Sequence, residues 1–150
     1  MIEVADYNDL SEILELQKLA FQIEAERYND PNLPPLNQSL EEIQKQYSDN
    51  TFFLKHVSEG KITGSVRAYL DDKNICHIGR LIVHPDHQKK GIGKSLMDEI
   101  EKRFSECYAY RIFTGHLSHH IIRLYTKLGY QLYYTQFADT HHIIHMEKRN

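Results

Sequence analysis

The strongest constraint on how this chain can fold comes from the segment between residues 75 and 106. The first part, Ile75–Val83, is rich in β-branched residues and predicts a strand that ends before Pro85. The last part repeats apolar residues every fourth position, at Ile92, Leu96, Ile100 and Phe104. That spacing places them on one face of a helix. A strand, a turn and a helix are therefore expected in this order.

The turn has the composition of an anion-binding site. It reads HQKKGIGKS from residue 87 to residue 95, and we call it the glycine loop. The first N–H groups of a helix have no partner inside the helix, and the helix dipole adds partial positive charge there. Gly91 and Gly93 leave the backbone bare at this point, so a ligand can approach it closely. We predict that the loop binds a phosphate.

Three kinds of glycine-rich loop compete for this sequence. A P-loop requires a glycine at residue 88, where the chain has Gln88. A dinucleotide-binding fingerprint requires a third glycine where the chain has Leu96. The pyrophosphate loop of acyl-coenzyme A transferases has the pattern Gln/Arg-x-x-Gly-x-Gly/Ala, and residues 88–93 match it at every fixed position. The third kind of loop fits best.

The rest of the sequence predicts one α/β domain that spans residues 1–150. Asp9 and Glu12 have capping-box spacing, and so do Ser39 and Glu42, so a helix is expected after each pair, the first ending at about Arg27. The segment between them, YNDPNLPPLNQ, contains three prolines and is expected to be loop. Turn signals between the central strands predict hairpins and antiparallel pairing. The further predicted strands are Ile2–Ala5, Thr51–Ser58, Ile62–Leu70 and Tyr110–Gly115.

Composition and charge argue against several classes of protein. Apolar residues make up 41% and charged residues 26% of the 150 residues, as in an ordinary soluble domain. A formal net charge of −3 argues against nucleic acid as a partner, and no apolar run has the length of a membrane span. The N-terminus does not resemble a secretory signal, and two cysteines are expected to be free thiols, so we expect a cytoplasmic protein.

Three histidines near the C-terminus resemble a set of metal ligands at first sight. On an alternating final strand, His141 and His145 share a face but His142 does not. We therefore expect a surface strand here and no metal site.

A second motif, at residues 124–130, agrees with the glycine loop. It reads LYTKLGY and resembles the C-terminal L-Y-x-K-x-G-[FY] signature of the GNAT superfamily of N-acetyltransferases. Leu81–Pro85 followed by Gln88–Gly93 resembles the coenzyme A motif of the same superfamily. The order of the two motifs, with a helix and a strand between them, also fits. One position departs, because relatives often have Asn where this chain has Ser118.

The resemblance implies both a fold and an activity. The fold is α/β (α+β): a mixed, mostly antiparallel sheet of about six or seven strands, flanked by about four helices. A splayed pair of strands in that sheet forms the coenzyme A cleft. The implied activity is transfer of an acetyl group from acetyl-CoA to a primary amine, on a small molecule or a peptide. The amine attacks directly in a ternary complex, without a metal.

The resemblance also implies where the cofactor binds. The pantetheine arm would pair with the backbone of Leu81 and Val83, and the pyrophosphate would lie on N–H groups of the glycine loop. For each lysine of the loop taken singly, a solvated helix start is the better interpretation. The predicted cofactor-binding residues are Leu81, Ile82, Val83, Gln88, Lys89, Lys90, Gly91, Ile92, Gly93, Lys94, Ser95 and Ser118.

Two residues are predicted to be catalytic. Tyr125 corresponds to the family's general acid, which serves the departing thiolate. Core packing is the alternative, because Tyr125 shares a helical face with apolar neighbours. His77 lies where many relatives have a glutamate base, and an imidazole titrates near neutral pH. If Leu81 and Val83 face the cofactor, alternation puts Gly79 and His77 on the same face, with His77 directed along the cleft toward the acceptor amine, unless a bulge near Gly79 reverses the alternation. The alternative for His77 is an exposed histidine on the other face of the strand.

The acceptor pocket is predicted from the loop after the first helix and from the last hairpin. These segments supply Glu24, Tyr28 and Asp30, together with Tyr134–Thr140. Acidic and aromatic groups there favour a cationic amine. A non-catalytic acyl-CoA sensor or partner module on the same fold is the competing function, and both a monomer and a homodimer stay open.

Overall fold

Seven strands form one sheet in the structure, a computed structural model that describes residues 1–137 and 141–150. The strands are β1 (Ile2–Val4), β2 (Phe52–Ser58), β3 (Lys61–Leu70), β4 (Ile75–Val83), β5 (Ala109–Gly115), β6 (Gln131–Phe137) and β7 (His142–Arg149). The helices are α1 (Leu10–Tyr28), α2 (Pro34–Asn37), α3 (Leu40–Ser48), α4 (Ile92–Arg103) and α5 (His119–Lys127). The strand order is β1-β2-β3-β4-β5-β7-β6.

The central strands β4 and β5 are parallel, whereas the other neighbouring pairs are antiparallel. In the described part of the chain, β4 and β5 pair only from Ile75 with Ala109 to His77 with Arg111. Beyond that rung the two strands continue to Val83 and Gly115. We call the point where they diverge the fork. The predicted mixed sheet with a splayed strand pair is therefore confirmed.

A β-bulge in β4 reverses which side chains face which side of the sheet. Ser65 pairs with Ile82 and Arg67 pairs with Gly79, so two β4 residues lie opposite the one β3 residue between them. Ile78 packs against the α4 side and Ile82 against the α1 side, although alternation without a bulge would put both on one face.

As a result, His77 and Gly79 do not share the face of Leu81. Leu81 and Val83 pack on the α4 side, in the cluster that contains Leu96. His77 points to the opposite side, where its ring stacks on Tyr69. Of the two outcomes that the sequence left open, the structure has the one with the bulge.

The core lies in two layers, one on each side of the sheet. On one side, α4 and α5 bury apolar residues such as Leu96, Met97 and Tyr125 against the central strands. On the other side, α1 and α3 bury Ile13 and Ile43 in a second cluster. Both layers meet at β4, which contributes buried side chains to each, so the fork is held from both faces.

Two local predictions are wrong. The N-terminal capping box joins Asp6 and Asp9 and starts a 3-10 turn at Tyr7–Asp9, which continues into α1. Glu12 accepts a hydrogen bond from the Ile62 amide instead, at 2.7 Å, and fastens α1 to β3. The proline-rich segment is not entirely loop, because Pro34–Asn37 form a helical turn. Proline is tolerated in a first turn, where the missing N–H would have no partner.

Candidate coenzyme A and acceptor site

The end of β4, the start of α4 and the middle of α5 converge at Gly93. A Cβ atom built on Gly93 would lie 3.6 Å from Leu124 Cδ2, 3.8 Å from Leu81 Cδ2 and 3.9 Å from Val83 Cγ2. These are ordinary contact distances, so a methyl group fits but a larger side chain would enter the space between the three elements. The bare backbone at this position keeps that space open beside the open arms of the fork.

The glycine loop presents its backbone with two left-handed residues. Lys89 has φ 64° and Gly91 has φ 80°, and Gly91 is the N-cap of α4 with no side-chain cap. The Ser95 amide donates to the Gly91 carbonyl at 3.0 Å, which is the first hydrogen bond of the helix. The amides of Ile92, Gly93 and Lys94 precede it and are the donors that a phosphate would meet. Ser95 contributes no free amide.

The side chains of the loop have different roles. Gln88 donates to the Val83 carbonyl at 3.4 Å, which ties the loop to the end of β4. Lys94 pairs with Asp98 one turn along the helix at 2.8 Å, and both side chains are exposed. Lys89 and Lys90 are exposed, whereas Ile92 is buried in the α4 core. The structure therefore places the backbone, more than the lysine side chains, in position for an anion.

Tyr125 is buried on α5, next to the residue that reaches Gly93. Only 3% of it is exposed, and its ring lies 5.9 Å from that of Tyr130. Burial raises the pKa of Tyr125 above its ordinary value, so the phenol keeps its proton. Its hydroxyl makes no hydrogen bond within the described residues. A buried hydroxyl in this situation can serve a ligand atom.

Ser118, Tyr28 and Glu24 form one hydrogen-bonded network. The hydroxyl groups of Ser118 and Tyr28 are 2.8 Å apart, and Ser118 donates to Glu24 Oε2 at 3.0 Å. The Leu117 amide donates to the Tyr28 oxygen at 3.0 Å. Burial raises the pKa of Tyr28. Residues that the sequence assigned separately to cofactor and acceptor therefore fasten the end of α1 to the start of α5.

A cleft of about 720 Å³ opens on the α1 and α3 side of the sheet, opposite α4. Its walls come from β3 to β7 and from the end of α3, and they include His77, Gly79 and Tyr134. Among the described residues, its lining does not include Glu24 or Tyr28. Of the hairpin residues predicted to line the acceptor pocket, 138–140 lie outside the described residues.

His77 lies in this cleft at the last paired rung before the fork. Its Nε2 atom is 2.8 Å from Asp71 Oδ2, and its ring stacks on Tyr69 with 4.9 Å between the centroids. The hydrogen bond from His77 lowers the pKa of Asp71 to about 2. Asp71 is therefore a carboxylate that orients the imidazole. It binds Nε2 and does not contact Nδ1. Sequence analysis missed Asp71, which appeared there only as a turn residue.

Sequence analysis also missed two arginines in the cleft wall, Arg67 on β3 and Arg80 at the bulge. Only 6% of Arg67 is exposed, and its guanidinium lies over the Phe53 ring at 4.6 Å. Arg67 donates to the side-chain oxygens of three glutamines, Gln17, Gln38 and Gln46. For Arg67, the only signal available in the sequence was an arginine at a buried position of a strand.

Three further observations limit the chemistry of the described residues. Residues 1–137 and 141–150 contain no group of three or more His, Cys, Asp or Glu side chains arranged to hold a metal ion. Cys76 and Cys107 are buried, free thiols, as predicted. No described helix has the length and hydrophobicity that a membrane span requires.

One family model and two curated relatives show what this chain is similar to. The family model described as the acetyltransferase (GNAT) family matches residues 10–130. The UPF0157 protein YqkA of Bacillus subtilis (strain 168) is 28% identical over 134 residues, which cover 87% of this chain and 38% of that protein. Glucosamine 6-phosphate N-acetyltransferase of Schizosaccharomyces pombe is 38% identical over 64 residues, 42% of this chain and 57% of that enzyme. The chain thus spans less than two thirds of each relative.

Solved structures with the same fold cover nearly the whole chain. The structure of smu.2055 from Streptococcus mutans UA159 superposes with a TM-score of 0.83 at 19% identity, covering 99% of this chain and 98% of that one. The structure of yncA from Salmonella typhimurium, which contains acetyl-CoA, gives a TM-score of 0.78 at 21% identity and covers 99% and 92%. At this identity the likeness concerns the fold.

Proposed function

The chain belongs to the GNAT family of acetyltransferases, and on that premise we propose that it transfers an acetyl group from acetyl-CoA to a primary amine. The observation that carries the proposal is the convergence of the fork, the glycine loop and Tyr125 on one side of β4. The relative named as an N-acetyltransferase of glucosamine 6-phosphate supports an amine as acceptor.

The glycine loop and β4 fit the two ends of the donor. The amides of Ile92, Gly93 and Lys94 bind the pyrophosphate, helped by the dipole of α4. The backbone of Leu81 and Val83 lies on the open arm of the fork and pairs with the pantetheine amides, as a neighbouring strand would. Acetyl-CoA, when bound, supplies an activated acyl group as a thioester.

The cleft binds the acceptor amine and carries the base. The amine enters from the face that carries His77, and its protonated form must first lose a proton because only the neutral amine is nucleophilic. The imidazole of His77 takes that proton, directly or through water, and passes it to solvent, so that the ring is neutral again, and Asp71 holds the ring in position. The neutral amine then attacks the thioester carbonyl, the new C–N bond forms, and the nitrogen loses its second proton to the neutral imidazole. The C–S bond breaks and coenzyme A leaves as the thiolate.

Tyr125 serves the sulfur on the other side of β4. A free thiol has a pKa near 8.5 and a free phenol one near 10, so complete proton transfer from phenol to thiolate is slightly unfavourable. Burial raises the pKa of Tyr125 further. The hydroxyl therefore acts mainly as a hydrogen-bond donor that stabilises the charge developing on sulfur.

Release of coenzyme A thiol across a panel of amines tests the proposal, with calorimetry of acetyl-CoA and ATP binding on the same protein. We expect acetyl-CoA to bind, ATP not to bind, and thiol release to depend on at least one amine. Binding of acetyl-CoA without thiol release for any amine would instead favour a coenzyme A sensor. ATP binding without acetyl-CoA binding would contradict both functions.

A further inference from the structure

Two guanidinium groups in the wall of the cleft are held by neutral partners. Arg67 Nη1 and Arg80 Nη1 donate to the same atom, Gln38 Oε1, at 3.2 and 3.0 Å. Arg67 also donates to Gln17 and Gln46, which are uncharged as well. Within residues 1–137 and 141–150, neither arginine forms an ion pair. Two like charges are thus brought together without a counter-ion among these described residues.

This arrangement is unfavourable unless an anion joins it. Burial, and then the charge of Arg80, lower the pKa of Arg67 to about 9, and burial also lowers the pKa of Arg80. The Nε atom of Arg67 is buried and has no hydrogen-bond partner among the described residues. A charge removed from water without an opposite charge destabilises the fold.

The carboxylates around the cleft are already engaged. Asp71 binds His77, Glu147 pairs with Arg111 and Asp49 pairs with Lys45. Glu42 favours the charged form of Arg80, but it accepts the Ser39 amide in the capping box of α3 and is not within ion-pair distance of Arg80. Within the described part of the chain, no carboxylate around the cleft is thus left as their counter-ion, and a ligand can supply the negative charge.

The backbone of β4 holds Arg80 in a costly conformation. Arg80 has φ 51°, in the left-handed region that disfavours side chains other than glycine. The same bulge turns His77 into the cleft. Arg67 pairs with Gly79 across the sheet, and Tyr69, two residues along β3, stacks on His77. The cationic pair and the imidazole therefore lie on one wall, on neighbouring positions of the same two strands.

We propose that Arg67 and Arg80 form an anion subsite in the acceptor cleft, so that the acceptor is an amine that also carries a carboxylate or a phosphate group. The proposal rests on the proposed function and makes it more specific: the anion lies on the arginines while the amine faces His77. It also changes the expectation of a simple cationic amine, because Glu24 and Tyr28 are bonded to Ser118 and do not line the cleft.

Matched pairs of amines test the subsite. Ethanolamine is compared with phosphoethanolamine, and tyramine with tyrosine, in the thiol-release assay. We expect kcat/KM to be higher for the anionic member of at least one pair, by about ten- to a hundredfold, as for charge-assisted hydrogen bonds. The pair that responds distinguishes phosphate from carboxylate. Equal rates within both pairs would overturn the proposal.

Variants of Arg80 test whether the preference for the anionic amine depends on this residue. Arg80→Gln should remove the preference for the anionic amine, and Arg80→Lys should retain part of it because the charge stays. Arg103→Gln makes the same change on the exposed side of α4, next to Phe52, and should leave the preference intact. A preference that survives in Arg80→Gln would place the anion elsewhere and contradict the assignment.

A binding measurement separates this proposal from the proposed function. With the protein saturated by coenzyme A, so that the glycine loop is filled, inorganic phosphate and acetate are titrated calorimetrically. Binding of either ion that is lost in Arg80→Gln supports the subsite even if no amine is acetylated, in which case the proposed function fails alone. If neither ion binds and amines are acetylated without preference, the subsite fails and the proposed function stands. If neither ion binds and nothing is acetylated, both fail.

Discussion

At the residue scale, Tyr125 is the most direct probe of catalysis. Tyr125→Phe keeps the ring in the core and removes a hydroxyl that has no hydrogen-bond partner in the described chain. We expect kcat to fall by on the order of 10²–10⁴, the usual range for a positioned proton donor, with little change in thermal stability or acetyl-CoA affinity. Steady-state kinetics and calorimetry measure the two quantities. An equally active Phe variant would assign Tyr125 to core packing.

His77 gives a prediction about pH. A general base accepts a proton only in its unprotonated form, so kcat/KM should fall as the pH is lowered. His77→Gln keeps the size and some hydrogen bonding but cannot take the proton, so the rate at neutral pH should fall and the acidic limb should move or disappear. Asp71→Asn should also lower the rate at neutral pH, because the ring then lacks the carboxylate that orients it. A His77→Gln profile that superimposes on that of the parent protein would place the base elsewhere.

Site residues could be predicted from the sequence where they lie in a contiguous motif, but not where a distant partner positions them. Gly91, Gly93 and Tyr125 lie in contiguous motifs, whose spacing carries the information, and their roles stay predictions. Arg67 and Arg80 are positioned by glutamines on α1, directly after α2 and on α3, and no local sequence pattern indicates such contacts. The bond between Tyr28 and Ser118 likewise joins residues 90 positions apart.

At the scale of elements, the start of α4 is the part that we propose binds acetyl-CoA. Gly93→Val would put branched carbons into the space bordered by Leu81, Val83 and Leu124. We expect the affinity for acetyl-CoA to fall at least tenfold, as expected when a close approach to the backbone is blocked, while the protein stays folded. Calorimetry measures the affinity and circular dichroism the fold.

A valine elsewhere on the same helix is the control for this prediction. Lys102 is exposed on α4, away from the loop. Lys102→Val introduces the same branched side chain on the same helix and should leave the affinity for acetyl-CoA unchanged. Unchanged acetyl-CoA binding in Gly93→Val would exclude the glycine loop as the site.

The contact between α1 and the end of β5 gives a prediction about stability. A Cβ atom on Gly115 would collide with the ring and hydroxyl of Tyr28, which is anchored by Ser118 and the Leu117 amide. Gly115→Ala should lower the free energy of unfolding by about 1–3 kcal/mol, as overpacking usually does. Gly79→Ala, where a Cβ would meet nothing within 4 Å, is the matched control. Equal stability of the two variants in urea denaturation would contradict the tight contact.

Element boundaries were predictable where one local rule acts without competition. The strand Ile75–Val83 and the capping box at Ser39 are confirmed, because strand propensity and capping geometry are local properties. The predicted box at Asp9 was wrong because two acidic residues compete for the same helix start, and tertiary contacts with Lys55 and Ile62 decide between them. The sequence left a bulge near Gly79 open, and only the strand register of the folded sheet decides it.

At the scale of the whole molecule, the proposed function divides the protein at the fork into a donor side and an acceptor side. The glycine loop, α4 and Tyr125 lie on one side of β4, whereas the cleft with His77, Arg67 and Arg80 lies on the other. The fold was predictable, because two motifs in the correct order specify it, and the same motifs carry the prediction of the donor side. The acceptor side was not, because its residues come from several strands that only the folded sheet brings together.

In the proposed function, the two sides meet in one reaction at the fork. The most direct test incubates the protein with acetyl-CoA labelled with ¹³C in the acetyl group and with an amine, and identifies the products by mass spectrometry. We predict one labelled N-acetyl amine for each coenzyme A released, and slower formation of both products in Tyr125→Phe and His77→Gln. Label recovered only as free acetate, or no release above the rate without protein for any amine, would contradict it.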